Sequence, residues 1–223
     1  MTRPHDMGGR FGDGPVEPED EDVKFHADWH KRALAMTLAA NACGQWNLDI
    51  SRHARESLPP KDYARFSYYE KWLAALTNLL VDTDVVSRAE LAAGEGPASP
   101  LADRTLRAAA VADTLAAGGP ADRPSTAEPR FSVGDAVVSR RLAENQFVAG
   151  GHTRLPRYAA GAKGRVLRCH GSHVLPDSNA HRLGERPEPL YAVAFPSSEL
   201  WRYPEHPQDE VVLDLWQSYL EPA

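Results

Sequence analysis

Apolar positions recur with a helical period from Val23 to about Gly118 and with a period of two beyond residue 130. Trp29, Ala33, Met36 and Ala40 fall at i, i+4, i+7 and i+11, one stripe of an amphipathic helix that Gly44 can stop. A short helix follows over Leu48–Leu58, capped by Asn47 or Asp49 and ended by Pro59-Pro60. A third runs from Ser67, a good N-cap, to Val81, with Tyr69, Leu73, Leu76 and Leu80 on its inner stripe. Ser87 followed by Glu90 is a capping-box pattern for a short helix ending near Gly94. The Ala-rich run Asp103–Ala117 reads as one more helix, closed by Gly118-Gly119.

Residues 118–129, GGPADRPSTAEP, carry Gly, Pro, Ser and Thr in succession and read as a linker. Past it, strand patterns appear at Phe131–Ser139, Gly164–Cys169, Leu190–Phe195 and Val211–Trp216, separated by Gly/Pro turns. Four or five short strands predict a small roll or SH3-like barrel rather than a sandwich. Residues 1–25 combine glycines, prolines and an acidic run from Glu17 to Asp22, too little apolar surface to order alone. They read as an extended arm, ordered where it lies on a partner. The fold class is therefore α+β: an arm over 1–25, a helical domain over 26–117, a linker over 118–129 and an all-β roll over 130–223.

Composition narrows the function classes. With 25 Lys and Arg against 31 Asp and Glu, the net charge of −6 excludes binding of nucleic acid through overall charge. Two distant cysteines, Cys43 and Cys169, exclude a disulfide-dense scaffold and a Cys-rich zinc or iron–sulfur site within this chain. No stretch approaches the ~18 apolar residues of a membrane span, and the N-terminus has no apolar signal region. A cytoplasmic location is the expectation.

Motifs for autonomous catalysis are missing. His26 and His30 are four apart, but Ala27 stands where a zinc protease carries its glutamate. Cys169, His170 and His173 cluster in CHGSH without a fourth ligand nearby, and read as a turn. GGRFGDG lacks the Gly-Lys-Ser/Thr of a phosphate loop, and no nucleophile elbow exists. Two arginines stand out by setting: Arg52 mid-helix after Ser51, and Arg154 in the turn-rich loop GGHTRLPRY. Guanidinium is the best side chain for clamping a fixed anion, through two parallel hydrogen bonds and a permanent charge. Tyr68 and Trp72 share a helix face, while Tyr69 turns toward the core stripe. An aromatic face apart from the core lines a pocket or an interface.

Taken in order, HDMGGRFGDGPV, NLDISRHARESLPPKDY, SYYEKWLAALTNLLV, FSVGDAVV, GGHTRLPRYAAGAKGRV, LYAVAF and LDLWQSYLEPA resemble the β subunit of nitrile hydratase. The resemblance runs from residue 5 to 223. It implies an enzyme that hydrates a nitrile to the amide as an αβ heterodimer, commonly paired to (αβ)2. It also implies a Co(III) or Fe(III) centre on the α subunit, held by three cysteines, two of them oxidised, and two backbone nitrogens. No metal ligand comes from this chain in that scheme.

By motif, the family's two arginines that hydrogen-bond the oxidised cysteines fall on Arg52 and Arg154, and its catalytic phenol on Tyr68. The family's β-side pocket wall falls on Leu48, Ser51 and Trp72, with Thr37 beside it. Ser51 and Thr37 replace commonly aromatic residues, which implies a roomier or more polar pocket. Trp72 is more typical of cobalt members, so cobalt is expected over iron. Two rival readings are kept: a thiocyanate hydrolase-type subunit, and a non-catalytic assembly partner or activator. The undivided chain argues against the first. Its acidity, its roll and both arginines argue against the second.

Overall fold

The computed structural model describes residues 4–6, 18 and 22–223. The chain divides into a helical unit that ends at Gly119 and a β unit made of Pro120–Ala223 together with Pro4–Asp6. Most of the arm expected over 1–25 lies outside the described residues. Among the described residues no helix is long and apolar enough to cross a membrane.

The helical unit contains α1 (Asp28–Asn41), α2 (Leu48–Glu56), α3 (Pro60–Arg65), α4 (Tyr68–Asp82), α5 (Arg88–Ala93) and α6 (Val111–Ala117). Local capping sets several of these boundaries. The Asn47 side chain accepts the Ile50 N–H at 2.9 Å and starts α2. Glu70 and Glu90 reach back to the amides of Ser67 and Ser87, each at 2.7 Å. Those bonds hold both carboxyls below the usual carboxylate range. Gly94, in the left-handed region at φ +71°, ends α5 where an L side chain would be strained. Helices α1 and α2 both pack against α4, and Trp46, Leu76 and Leu79 form the buried centre.

Two departures from the pattern occur here. Pro59-Pro60 follows the end of α2 as expected, but it also begins a helix that the pattern does not predict, because Pro60 sits at the first helical position of α3, where its missing N–H costs no bond. The run 103–117 is not one helix. It breaks into 3-10 turns at Ala102–Arg104 and Ala108–Ala110 before the short α6. Alanine propensity favours a helix there, but none of these three elements buries a residue, and short helices depend on packing.

The β unit is a five-stranded antiparallel sheet in the order β4-β3-β2-β1-β5. The strands are β1 (Ala136–Ser139), β2 (Lys163–His173), β3 (Glu188–Pro196), β4 (Glu210–Trp216) and β5 (Leu220–Pro222). The sheet is open in this order, so the α+β class holds and the expected closure into an SH3-like barrel is not seen. Strand β1 begins later than expected. Ser132–Asp135 is a turn in which the Ser132 amide donates to Asp135 and Gly134 takes φ +95°. The CHGSH string is not a turn. It continues β2 past a bulge, with Ser172 paired to Pro189 and His173 to Glu188. Gly164 is required by close approach, since a Cβ there would lie 2.7 Å from Val193 and 2.8 Å from the Ala194 carbonyl.

Strand β3 is buried from Pro189 to Phe195 and reads as an unbroken apolar run, whereas β4 alternates. Val137, Val166, Val193, Phe195 and Leu215 are fully buried in one core. The stretch 120–125, inside the expected linker, is hydrogen-bonded to this unit. Arg123 N–H reaches Ser172 O at 2.9 Å, Val174 N–H reaches Ala121 O, and the Arg123 guanidinium spans both Glu185 oxygens.

On β4, Leu215 is fully buried and Val212 is 53% exposed. Leu215→Ala is expected to lower the local unfolding free energy of the β2–β3–β4 ladder by ~2–5 kcal/mol, and Val212→Ala by under ~0.5 kcal/mol. Amide hydrogen exchange across the ladder measures both, and equal costs would contradict the face assignment.

Candidate functional site

The crossing of α2 on α4 gathers most of the predicted residues. Leu48, at the start of α2, is 59% exposed, and Tyr68, at the start of α4, is 64% exposed. The Tyr68 and Trp72 rings lie 5.4 Å apart and tilted by 44°. Tyr69 instead packs against His30 at 4.7 Å, with Trp29 and Phe25 beyond, as its place on the inner stripe requires. Two large rings with outward surface and an exposed leucine form an apolar face in the helical unit separate from its core.

Arg52 is fixed on this unit by Asp49, one turn before it. Nη1 donates to Oδ1 at 3.0 Å, the aspartate side chain is 8% exposed and the arginine 35%. Burial of that carboxylate makes the pair stiffer than a surface i,i+3 bridge, because Asp49 has little freedom to leave. Ser51 is buried and accepts a bond from Arg55 Nη1 at 3.1 Å. The Arg55 guanidinium carbon lies 5.1 Å from the Trp72 ring centre, so one cation joins Ser51 to the aromatic pair. Burial pushes the Arg55 pKa down, and neighbouring Arg52 pushes the same way. Thr37, on α1, donates its hydroxyl to Ala33 O at 2.9 Å and so satisfies it within its own helix.

Arg154 belongs to the β unit, on the segment between β1 and β2. Its own residue is exposed, while His152 and Leu155 on either side are 1% and 2% exposed. The backbone beneath it is tied to one phenol. Arg154 N–H and the Thr153 hydroxyl each donate to the Tyr219 oxygen at 3.3 Å. Tyr219 in turn donates to Asp177, which also accepts the Gln146 amide at 2.9 Å. Asn145 donates to the carbonyls of both His152 and Asp177. Gly151 is needed here, since a Cβ would lie 2.5 Å from His181 Nε2 and 2.9 Å from Asn145. The N-terminal residue Asp6 accepts the Arg157 amide at 3.0 Å on the same segment.

Both ends of this network are fully buried. Burial pushes the Asp177 carboxyl above the usual carboxylate range, against hydrogen bonds from Tyr219 and Gln146 that pull it down. Burial, with Asp177 adding to it, holds the Tyr219 phenol neutral far above its ordinary pKa. The result is an exposed cation on a rigid loop, a geometry suited to an anion brought by another molecule.

The histidine and cysteine clusters have other occupations. His170 Nε2 meets Asp214 at 3.0 Å, and His173 Nδ1 lies 3.3 Å from Gly171 O. His30 stacks on Tyr69. Among the described residues no three His, Cys, Asp or Glu side chains come together as metal ligands would. Arg55, Asp177 and Tyr219 lie against the candidate residues and are not singled out by the sequence pattern. The i,i+4 spacing of Ser51 and Arg55 is a signal that could have found the first. The other two meet across 42 residues and carry none.

Comparison with known proteins adds independent findings. A model of the nitrile hydratase beta subunit N-terminal domain matches residues 1–114, and one of its C-terminal domain matches residues 120–222. The chain is 40% identical to a nitrile hydratase subunit beta of Pseudomonas putida, over the full length of both. It is 36% identical to the low-molecular weight cobalt-containing nitrile hydratase subunit beta of Rhodococcus rhodochrous, covering 98% of each. A cobalt-containing nitrile hydratase subunit beta of Pseudonocardia thermophila is 33% identical over 99% of this chain and 96% of its own. Among solved structures, a thiocyanate hydrolase of Thiobacillus thioparus covers 43% of this chain and 78% of its own at 28% identity. Its TM-score is 0.37.

The Asp177 network predicts a pH effect of definite sign. Its carboxyl binds a proton more tightly when folded, so stability falls as pH rises from the ordinary carboxylate range through the raised folded value. Glu188, also raised chiefly by burial, acts in the same direction. Asp177→Asn is expected to flatten part of that slope. Tyr219→Phe is expected to lower β-unit stability by ~1–3 kcal/mol, the range for a buried acceptor left without its donor. Hydrogen exchange of the β2–β3 amides across mildly acidic to neutral pH measures both. A slope unchanged in Asp177→Asn would contradict the assignment.

Proposed function

Because the chain belongs to the nitrile hydratase beta subunit family, we propose that it completes a nitrile-hydrating site whose metal is carried by an α partner. The observation that carries this reading is the match over both domains and full length, joined to the outward Leu48, Tyr68 and Trp72 face beside a fixed Arg52. Cobalt is favoured over iron, since two of the similar relatives are named cobalt-containing. The assembly is an αβ heterodimer, paired to (αβ)2, in the cytoplasm.

The donor chemistry of this chain suits a partner to that metal rather than its holder. Its histidines near Cys169 are engaged by Asp214 and by a backbone carbonyl. A trivalent metal, when bound, supplies Lewis acidity to a nitrile or to water. The residues of this chain do the rest. Arg52, oriented by Asp49, and Arg154, held by its Tyr219-bound loop, donate paired N–H groups to oxidised cysteine oxygens of the partner. Sulfinate and sulfenate oxygens in a dry interface are anions that need a hydrogen-bonded counter-charge. Tyr68 directs its hydroxyl to the substrate or the attacking water. Leu48 and Trp72 exclude solvent, and Ser51 and Thr37 leave room where larger side chains would fill the wall.

The fork geometry makes the test sharp, because lysine keeps the charge and loses the parallel donors. Arg52→Lys and Arg154→Lys are each expected to cost ~3–5 kcal/mol in assembly or in transition-state stabilisation. The readouts are nitrile hydration, α–β association and the mass of the α cysteine peptide, with Arg202→Lys as an exposed control. Near-normal turnover with intact cysteine oxidation in Arg52→Lys would remove this chain from the chemistry.

A further inference from the structure

Arg55 brings to the α2–α4 face a guanidinium that no carboxylate bonds directly among the described residues; Glu56, next to it in the chain, acts on it only through its charge. Arg52 has Asp49 at 3.0 Å and Arg65 has Asp62 at 2.8 Å, but Arg55 makes no ion pair among the described residues. Its protein partners there are one hydroxyl, Ser51 at 3.1 Å, and one ring, Trp72 at 5.1 Å. A guanidinium has five N–H donors, and the Ser51 bond uses one of them. The group is half-buried, so its other donors are drawn partly out of water without a fixed acceptor. Arg52 stands three residues before it and repels it, while Glu56 attracts it. The ring beneath and the hydroxyl beside it hold the guanidinium next to the Tyr68–Trp72 pair.

We propose that Arg55 is a specificity-determining residue that selects nitriles bearing a carboxylate over neutral nitriles of the same shape. A carboxylate accepts two parallel bonds from a guanidinium, which a carboxamide cannot do. Ser51 has a positioning part, since its oxygen holds Arg55 over Trp72. A wall residue with a bulky ring in place of Ser51 would offer Arg55 no acceptor. The inference rests on the reading that Ser51, Tyr68 and Trp72 line the substrate site.

The probes are 4-cyanobutanoate and its neutral isostere 4-cyanobutanamide, hydrated by the α–β complex carrying wild-type Arg55, Arg55→Gln or Arg55→Lys. The wild type is expected to prefer the carboxylate, and Arg55→Gln to lower the ratio of the two kcat/KM values by about tenfold or more, as loss of a charge-assisted bond requires. Arg55→Lys retains part of the preference, which a merely structural role would not produce. Ser51→Ala lowers the ratio less than Arg55→Gln does. A ratio unchanged in Arg55→Gln overturns the proposal. Equal loss for both nitriles with weakened α–β association also overturns it, and assigns Arg55 to a carboxylate of the partner. Tyr68→Phe and Trp72→Ala run in parallel. If neither alters kcat/KM for either nitrile, the site reading itself falls, and the proposal falls with it.

Discussion

On α2 two guanidinium groups stand one turn apart, and the way each is held governs what the face can do. Arg52 leans on a buried aspartate of its own helix and keeps further donors for a second acceptor. Arg55 leans on a hydroxyl and an indole, neither of which cancels its charge. Like charges this close repel, so the pair persists because α4 supplies the ring and Asp49 the counter-charge. The exposed Leu48 and Tyr68 beside them would lower the local polarity once a partner covers this face.

The β unit solves a related problem by other means. Arg154 carries its charge outward, and the loop beneath it is held by a fully buried phenol–carboxylate pair. Fixing the backbone rather than the side chain leaves the whole guanidinium available to a partner. The long segment between β1 and β2 can hold this shape because Asn145 and Asp177 satisfy its polar groups internally and Gly151 leaves them room. The open sheet is thus a scaffold whose connections, not its strands, hold Arg154 and the network beneath it.

How much of this was legible in the sequence depends on the range of the interaction. The caps of α2, α4 and α5 were readable, because each is made within four residues by Asn47, Ser67 with Glu70, and Ser87 with Glu90. Pro60 misled, since proline excludes itself from helix interiors but favours helix starts. The alanines of 103–117 misled too, because propensity without a buried face does not hold a helix. Gly171 inside CHGSH looked like a turn, whereas β2 absorbs it in a bulge beside β3. Tyr68 and Trp72 could be placed on one face from spacing alone. The Arg55–Trp72 contact and the Tyr219–Asp177 bond needed the packing of elements distant in sequence, which no local pattern encodes.

In the proposed function this chain is one half of a catalytic unit, supplying arginines and an aromatic face to a metal held by its partner. The most direct measurement is nitrile hydration by the purified chain alone, and by the same chain assembled with a metal-loaded α subunit. The account predicts no turnover above the uncatalysed reaction for the chain alone and robust turnover for the complex. Turnover by the chain without any α subunit would contradict it.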